Sequence, residues 1–514
     1  MKTFRREACN VYLWGIFLVF PLSSGHLYQD FTKTKEIVFV LLCAAFLLCG
    51  MVALIGGIAS DRAMGVPRPS LRELAAKFSA LDISLIALGV IVLLSSVTSY
   101  FPIRLTMFGE FAQHTSGAVI LGLILAYFVL SRYMEAAKTG FVAAWYLSSV
   151  VVFVVGLLNH MRFDPLGMHQ YTNNPTDTLS FMYSTIGNVD YYVGYLAVVL
   201  LFFAAYRADM EKGWRAYAVD ALLVVCYMNV WTARASGSFL GILFGLFALV
   251  LFSMTSFTRL RSLFWNGILA GIGGLLAAVG GHLRPELYIG IDYEISGILQ
   301  LHYFWLPFGV VCFAIWLALG RMAQQEKESD VLSFWKKLAL PVTAVAVCAM
   351  AVAEGLILFY RPIQDVTGRT FIWDDLQKAL PMLTLRERLI GVGPGCMDLE
   401  LMHLELHVNE DLRFLTAHNE AYEFFFLTGI LGVAAWFAMA VSFFVSLFRK
   451  LLGGIAHAAG EGADEEWFRE LCCCGIAFAA YMGQGLTNGP YSPVMVVGYT
   501  MLALFRRYQI PDVD

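Results

Sequence analysis

Charge is scarce in this chain. Asp, Glu, Lys and Arg supply 14% of its 514 residues, against about 25% in soluble domains. That shortage excludes an ordinary soluble globular protein. The net charge of −4 is too small to suggest a nucleic-acid partner. The ten cysteines show no CxxC pairing outside the run Cys472-Cys473-Cys474, which lies in an apolar stretch. There the thiols are expected as buried small hydrophobes, not as a disulfide or a metal site. No sequence repeat, heptad or low-complexity tract is present.

Apolar residues take the place of charge. They make up 59% of the chain, and the mean hydropathy is +0.68. Runs near twenty residues recur along the whole length, each long enough to cross about 30 Å of hydrocarbon. The pattern predicts spans at 11–24, 36–58, 82–98, 117–131, 139–158, 191–205, 217–232, 237–254, 264–281, 303–319, 338–359, 421–448, 471–487 and 490–505. The expected fold is therefore all-α, a polytopic membrane protein of about 12–14 transmembrane helices in a lipid bilayer. No small-x-small cleavage site follows residues 11–24, so this segment is expected to be the first span, with the N-terminus cytoplasmic.

Charge distribution tests that topology independently. With the N-terminus inside, the inner segments collect about 23 of the 35 Lys and Arg residues, and the outer segments about 12, six of them between 361 and 420. This is the positive-inside bias. Every His except His457 falls on the outer side or at its boundary. The chain divides accordingly into an N-terminal membrane region (1–360, about 11 spans), one long extracytoplasmic loop (361–420) and C-terminal helices (421–514). The acidic stretch Gly460–Glu470 is expected to be a solvated inner linker.

Two outer segments carry candidate chemistry. In Ser184–Tyr192, Asn188 and Asp190 are expected to cap the next helix, or else Thr185, Gly187 and Asn188 shape a polar entrance to a membrane cavity. Arg234 stands among small residues (Ala235, Ser236, Gly237). It reads either as a snorkelling anchor or as a bidentate phosphate partner. Arg361 ends a span and offers the same choice. Arg369, farther from the membrane edge, is the better candidate for phosphate or glycan, with Trp373 close behind it. Gly391–Gly395 reads GVGPG, but no Lys-Ser/Thr follows, so it is not a nucleotide P-loop. It predicts a tight turn with positive φ at one or more glycines. His403 and His407 share i, i+4 spacing, yet Glu405 is misplaced for an HExxH site. The leucines at 399, 401, 404 and 406 suggest an amphipathic segment on the membrane surface instead. His418 stands where the loop meets a span. An imidazole at that boundary suits a general base toward a hydroxyl, or else an interfacial helix cap. Asn419 and Glu420 orient it or begin the helix.

Taken together, these residues resemble the O-antigen ligase family, polytopic enzymes that include ligases, polymerases and protein O-oligosaccharyltransferases. The resemblance rests on Ser184-Thr185-Ile186-Gly187-Asn188, then Gly368-Arg369 with Trp373, and Leu389–Gly395. It continues through Ala417-His418-Asn419-Glu420-Ala421-Tyr422 to Thr428-Gly429-Ile430-Leu431-Gly432. One departure is that the family's Ser-Arg-Gly is matched here by Arg234-Ala235-Ser236-Gly237, with the arginine displaced by about two residues.

The resemblance implies glycan transfer from an undecaprenyl-diphosphate carrier to a glycolipid, protein or polysaccharide acceptor. The reaction would take place on the outer face of the bacterial cytoplasmic membrane, with no metal and no cofactor. It implies His418 as base, Arg369 and less firmly Arg234 and Arg361 on the diphosphate, and Glu420 and Asn419 as positioning groups. Trp373 and Tyr422 would be sugar-stacking faces, and Asn188 a lining group. A polymerase of the same family, or a lipid-linked glycan transporter without chemistry, are the alternatives. The transporter would be expected to place paired charges inside its spans, which are nearly uncharged here.

Overall fold

The computed structural model describes residues 2–25, 31–65, 70, 72–73, 76–109, 115–134, 140–168, 182–233, 237–283, 302–325, 328–359, 370–406, 416–457 and 465–510. Arg234, Arg361, Arg369 and His407 lie outside the described residues.

The described chain is helical apart from one hairpin. In order come α1 (Lys2–Trp14), α2 (Phe20–Leu22) beyond a π-helical turn, α3 (Phe31–Ala63), α4 (Ala80–Thr98), α5 (Ile103–Phe108), α6 (Gly117–Tyr133) and α7 (Phe141–His160). The hairpin β1 (Met182–Tyr183) and β2 (Gly187–Asn188) is antiparallel. It leads into α8 (Val189–Arg207), α9 (Trp214–Ala233), α10 (Gly237–Ser253), α11 (Phe257–Leu283), α12 (His302–Gln324) and α13 (Glu328–Phe359). Three short helices follow: α14 (Thr370–Ala379), α15 (Leu385–Ile390) and α16 (Met397–His403). The chain closes with α17 (Glu420–His457), α18 (Glu465–Gln484) and α19 (Ser492–Arg507).

Each predicted span overlaps helical chain, although 11–24 is divided among α1, a π-helical turn and α2, and 471–487 and 490–505 run past the ends of α18 and α19. Among the described residues, eight helices are long and apolar enough to cross a membrane, and the apolar α6 and α10 are shorter. By the length and composition of its helices this is a multi-pass membrane protein. The helices begin where the sequence supplies caps. Ser79 and Asp82 form a reciprocal capping box at α4, and Asn188 accepts the Asp190 N–H at the start of α8. Such oxygens satisfy amides that have no partner within the helix.

Burial varies with position in the bundle. In α8, 89% of the most apolar window is buried, against 11% in α12. A helix apolar on every face belongs in an interior, and α8 packs on α9, α10 and α18. Polar side chains bond across the interior: Trp145 Nε1 donates to Tyr195 Oη (3.0 Å), and Tyr192 Oη to Asn229 Oδ1 (2.6 Å). Cys472, Cys473 and Cys474 are buried and unpaired by any disulfide, as the apolar run predicts. Large exposed apolar side chains such as Leu41, Val97, Leu147 and Val441 lie on the outside of the helices.

Helix ends sort into two sets. One end of the bundle joins Asp82 to Arg132 and Arg506, Arg207 to Asp220, and Arg259 to Asp209. The opposite end joins Lys35 to the carbonyls of Phe20, Pro21 and Ser23, Thr185 to that of Pro21, and Thr115 to Glu423.

Residues 370–406 form a folded cap at the second end. Trp373, Leu376, Leu383, Val392, Met397 and Leu401 share a small core with Ala417, Phe426 and Leu427. The expected amphipathic surface segment is therefore corrected in part. Leu401 is fully buried in protein, and Leu404 and Leu406 pack against the same core.

Candidate functional site

The site is built where that cap meets α17. His418 has φ +50°, a left-handed conformation that costs a non-glycine residue about 1–2 kcal/mol. It persists because the chain on both sides is clamped. Trp373 Nε1 donates to the Ala417 carbonyl at 2.8 Å. The Ala417 N–H donates to Glu423 Oε2 at 2.6 Å, while Thr115 Oγ1 donates to Glu423 Oε1 at 3.0 Å. After His418, Asn419 Nδ2 donates to the Leu486 carbonyl at 2.9 Å, and Asn419 Oδ1 accepts the Tyr422 N–H at 3.0 Å. Asn419 is thus the N-cap of α17 and its tie to the end of α18. The Glu420 N–H donates to the Gly485 carbonyl, a second tie to the same place.

The His418 ring sits between the first turn of α8 and Tyr491, the residue that precedes α19. Its Nδ1 lies 3.0 Å from Tyr491 Oη and 3.8 Å from Asp190 Oδ2. The His418 side chain is 26% exposed and that of Asp190 19%, so both are part-buried. Tyr491 packs against Tyr191, the rings tilted at 47° with 3.9 Å between centroids. Asn488 Nδ2 contacts the Asp190 carbonyl and Gln484 Oε1. A histidine held by a phenol and a carboxylate on one ring nitrogen can exchange a proton through the other.

The structure assigns the remaining predicted residues individually. Glu420 is buried, and its Oε1 accepts from Tyr481 Oη. Its carboxylate points into the bundle, where the nearest Gly485 leaves no room for a side chain of its own. Asn188 caps α8, the first of its two expected roles. Trp373 is fully buried, so it presents no face to a sugar; its ring lies 6.0 Å from that of Tyr422. Tyr422 is half-buried, and Gln377 Nε2 donates to its hydroxyl at 3.4 Å. Thr185 and Ser184 are also spent on the fold: Thr185 on Pro21, and the Ser184 N–H on Asn159 Oδ1. His403 stacks on Tyr100.

The GVGPG turn has positive φ at Gly391, Gly393 and Gly395. Its purpose is visible in α17, which breaks at Gly429 (φ +66°). A Cβ on Gly391 would meet the Leu427 and Thr428 backbone at 2.2–2.3 Å, and one on Gly429 would meet Leu389 and Ile390 at 2.3–2.4 Å. Two glycines thus allow main chain to touch main chain. The contact is sealed by the Val392 N–H to the Phe426 carbonyl (2.8 Å), Ser95 Oγ to the Leu427 carbonyl (2.7 Å), and Ser99 Oγ to the Val392 carbonyl. The cap is anchored to the broken helix that carries His418 at its start.

Three groups of this site are absent from the sequence-based candidates: Glu423, Tyr491, and Asp190 as anything beyond a cap. Glu423 had a readable signal, a carboxylate one turn inside an apolar helix. Tyr491 had none. No protein-family model and no curated protein matches this chain.

Proposed function

We propose that this protein is a membrane glycosyltransferase of the O-antigen ligase type. It moves a glycan from a polyprenyl-diphosphate carrier, undecaprenyl diphosphate in a bacterial cytoplasmic membrane, to an acceptor hydroxyl or amine. In this reading the chain has 12–14 spans, and the 361–420 loop and His418 lie on the extracytoplasmic side, as the distribution of Lys and Arg requires.

The single observation that carries the reading is His418 itself. It is held in a left-handed conformation by bonds on both sides, with its partly exposed ring against Asp190 and Tyr491. Strain that the surroundings enforce collects at functional positions. The acceptor O–H attacks the anomeric carbon, whose bond to the diphosphate oxygen breaks. The lipid diphosphate leaves with that electron pair, and the acceptor proton passes to His418. Arg369, with Arg361 and Arg234, supplies fixed positive charge as negative charge develops on the leaving group. Asn419 and Glu420 act by fixing the start of α17 and not by touching substrate.

The test uses purified protein in detergent with a polyprenyl-diphosphate-linked glycan. Glycolipid, protein and polysaccharide acceptors are offered separately, and release of polyprenyl diphosphate is followed. Acceptor-dependent release that is lost in His418→Ala supports the reading. A wild-type protein that consumes no donor in any arm points to the transporter alternative and overturns it.

A further inference from the structure

We infer that Asp190 is a positioning residue for His418: its carboxylate, together with the Tyr491 hydroxyl, fixes the imidazole through Nδ1 and stabilises the imidazolium. Among the described residues Asp190 is the carboxylate within ion-pair distance of His418, at 3.8 Å. The other titratable groups nearby are committed elsewhere. Glu420 accepts from Tyr481, and Glu423 accepts from Thr115 and the Ala417 amide. Tyr191 packs against Tyr491 with tilted rings, and both are buried.

The geometry separates this role from helix capping. Asp190 lies in the first turn of α8, where a carboxylate also favours the positive end of the helix dipole. Yet the cap itself is Asn188, which accepts the Asp190 amide. The Asp190 carbonyl is contacted by Asn488. The main chain of Asp190 is therefore held by other groups, and its side chain is turned toward a ring carried by a different segment. With Nδ1 directed at Tyr491 and Asp190, proton uptake falls to Nε2. A part-buried carboxylate beside the ring favours the charged form that results. The catalytic half of this inference rests on the transferase reading; the positioning half does not.

The experiment uses the full chain in detergent. Diethyl pyrocarbonate, which modifies the neutral imidazole, is applied across about pH 5 to pH 9, around the ordinary imidazole range. Modification of the His418 peptide is quantified by mass spectrometry. The pH midpoint of modification should fall by about one unit in Asp190→Asn, which preserves shape, and return toward wild type in Asp190→Glu. A residue serving only the helix dipole would lower the melting temperature of Asp190→Asn and leave the His418 midpoint in place, and that result overturns the inference. In the transfer assay, Asp190→Asn should lower kcat by about 10- to 100-fold with the donor KM little changed. A wild type without transfer activity overturns the transferase reading alone, since the modification midpoint still decides the Asp190–His418 pairing.

Discussion

Replacing Gly429 by Ala tests how the cap is fastened. Gly429 has φ +66°, so an alanine there costs about 1–2 kcal/mol in backbone conformation. Its Cβ would also lie 2.3–2.4 Å from the Leu389 carbonyl carbon and the Ile390 nitrogen, whereas ordinary contact begins near 3.4 Å. Both neighbours are main chain, so no side chain can swing aside, and the two segments must part by about 1 Å. The Val392–Phe426 bond of 2.8 Å would then exceed hydrogen-bonding range, and the Ser95–Leu427 bond would be strained. Each is worth about 1–1.5 kcal/mol, which brings the total to about 3–5 kcal/mol. The cost is local, so the readout is local too. Trypsin cleavage at Arg386 and Arg388 in α15 should accelerate by about a hundredfold or more, since 1.4 kcal/mol is a factor of ten in an opening equilibrium. Gly391→Ala should behave alike, and the double variant should cost less than the sum, because both disrupt one contact. Cleavage within twofold of wild type in Gly429→Ala would refute the backbone-on-backbone docking.

Two further outcomes follow from the same cap. Glu423→Ala strands the Ala417 amide and the Thr115 hydroxyl, at about 1–3 kcal/mol each if buried. It should lower the melting temperature and, by loosening the clamp beside His418, weaken glycan transfer. Glu400 gives a pH signature. Burial, and then repulsion from Glu387, raise its pKa above the ordinary carboxylate range. The folded state therefore holds this proton to higher pH than the unfolded chain does. The Glu400 contribution is intact at acid pH and declines as pH rises past the unfolded value. Glu400→Gln should match wild-type cap stability at low pH and exceed it at neutral pH, measured by trypsin resistance across pH.

The membrane helices were legible because hydropathy alone sets where a membrane chain is helical, and each predicted span overlaps a helix; the short helices α14 to α16, inside what was expected as a loop, were not. The positive φ of the GVGPG glycines was legible too, since a glycine–proline turn is a local property. What the turn is for was not. Gly391 and Gly429 meet through main chain, and close approach of two distant backbones leaves no side-chain pattern to read. Leu401 was misplaced for a related reason. A leucine stripe predicts an apolar face, but it does not say whether lipid or protein covers that face. Trp373 and Asn419 were recognised as members of the site region. Their bonds to Ala417 and Leu486 make them its scaffold. Asp190 looked like a cap because its neighbours in sequence are a helix start, and its nearness to His418 exists only once α8 and α17 are packed together.

The central claim is that His418 is the base, and His418→Gly tests it most directly. Glycine adopts φ +50° without strain, so this variant should keep the cap and the bundle intact, and melt no lower than wild type. With wild type and variant given the same polyprenyl-diphosphate-linked glycan and acceptor, transfer by the variant should fall by at least about a hundredfold. A folded His418→Gly protein that transfers glycan within twofold of wild type would contradict the account.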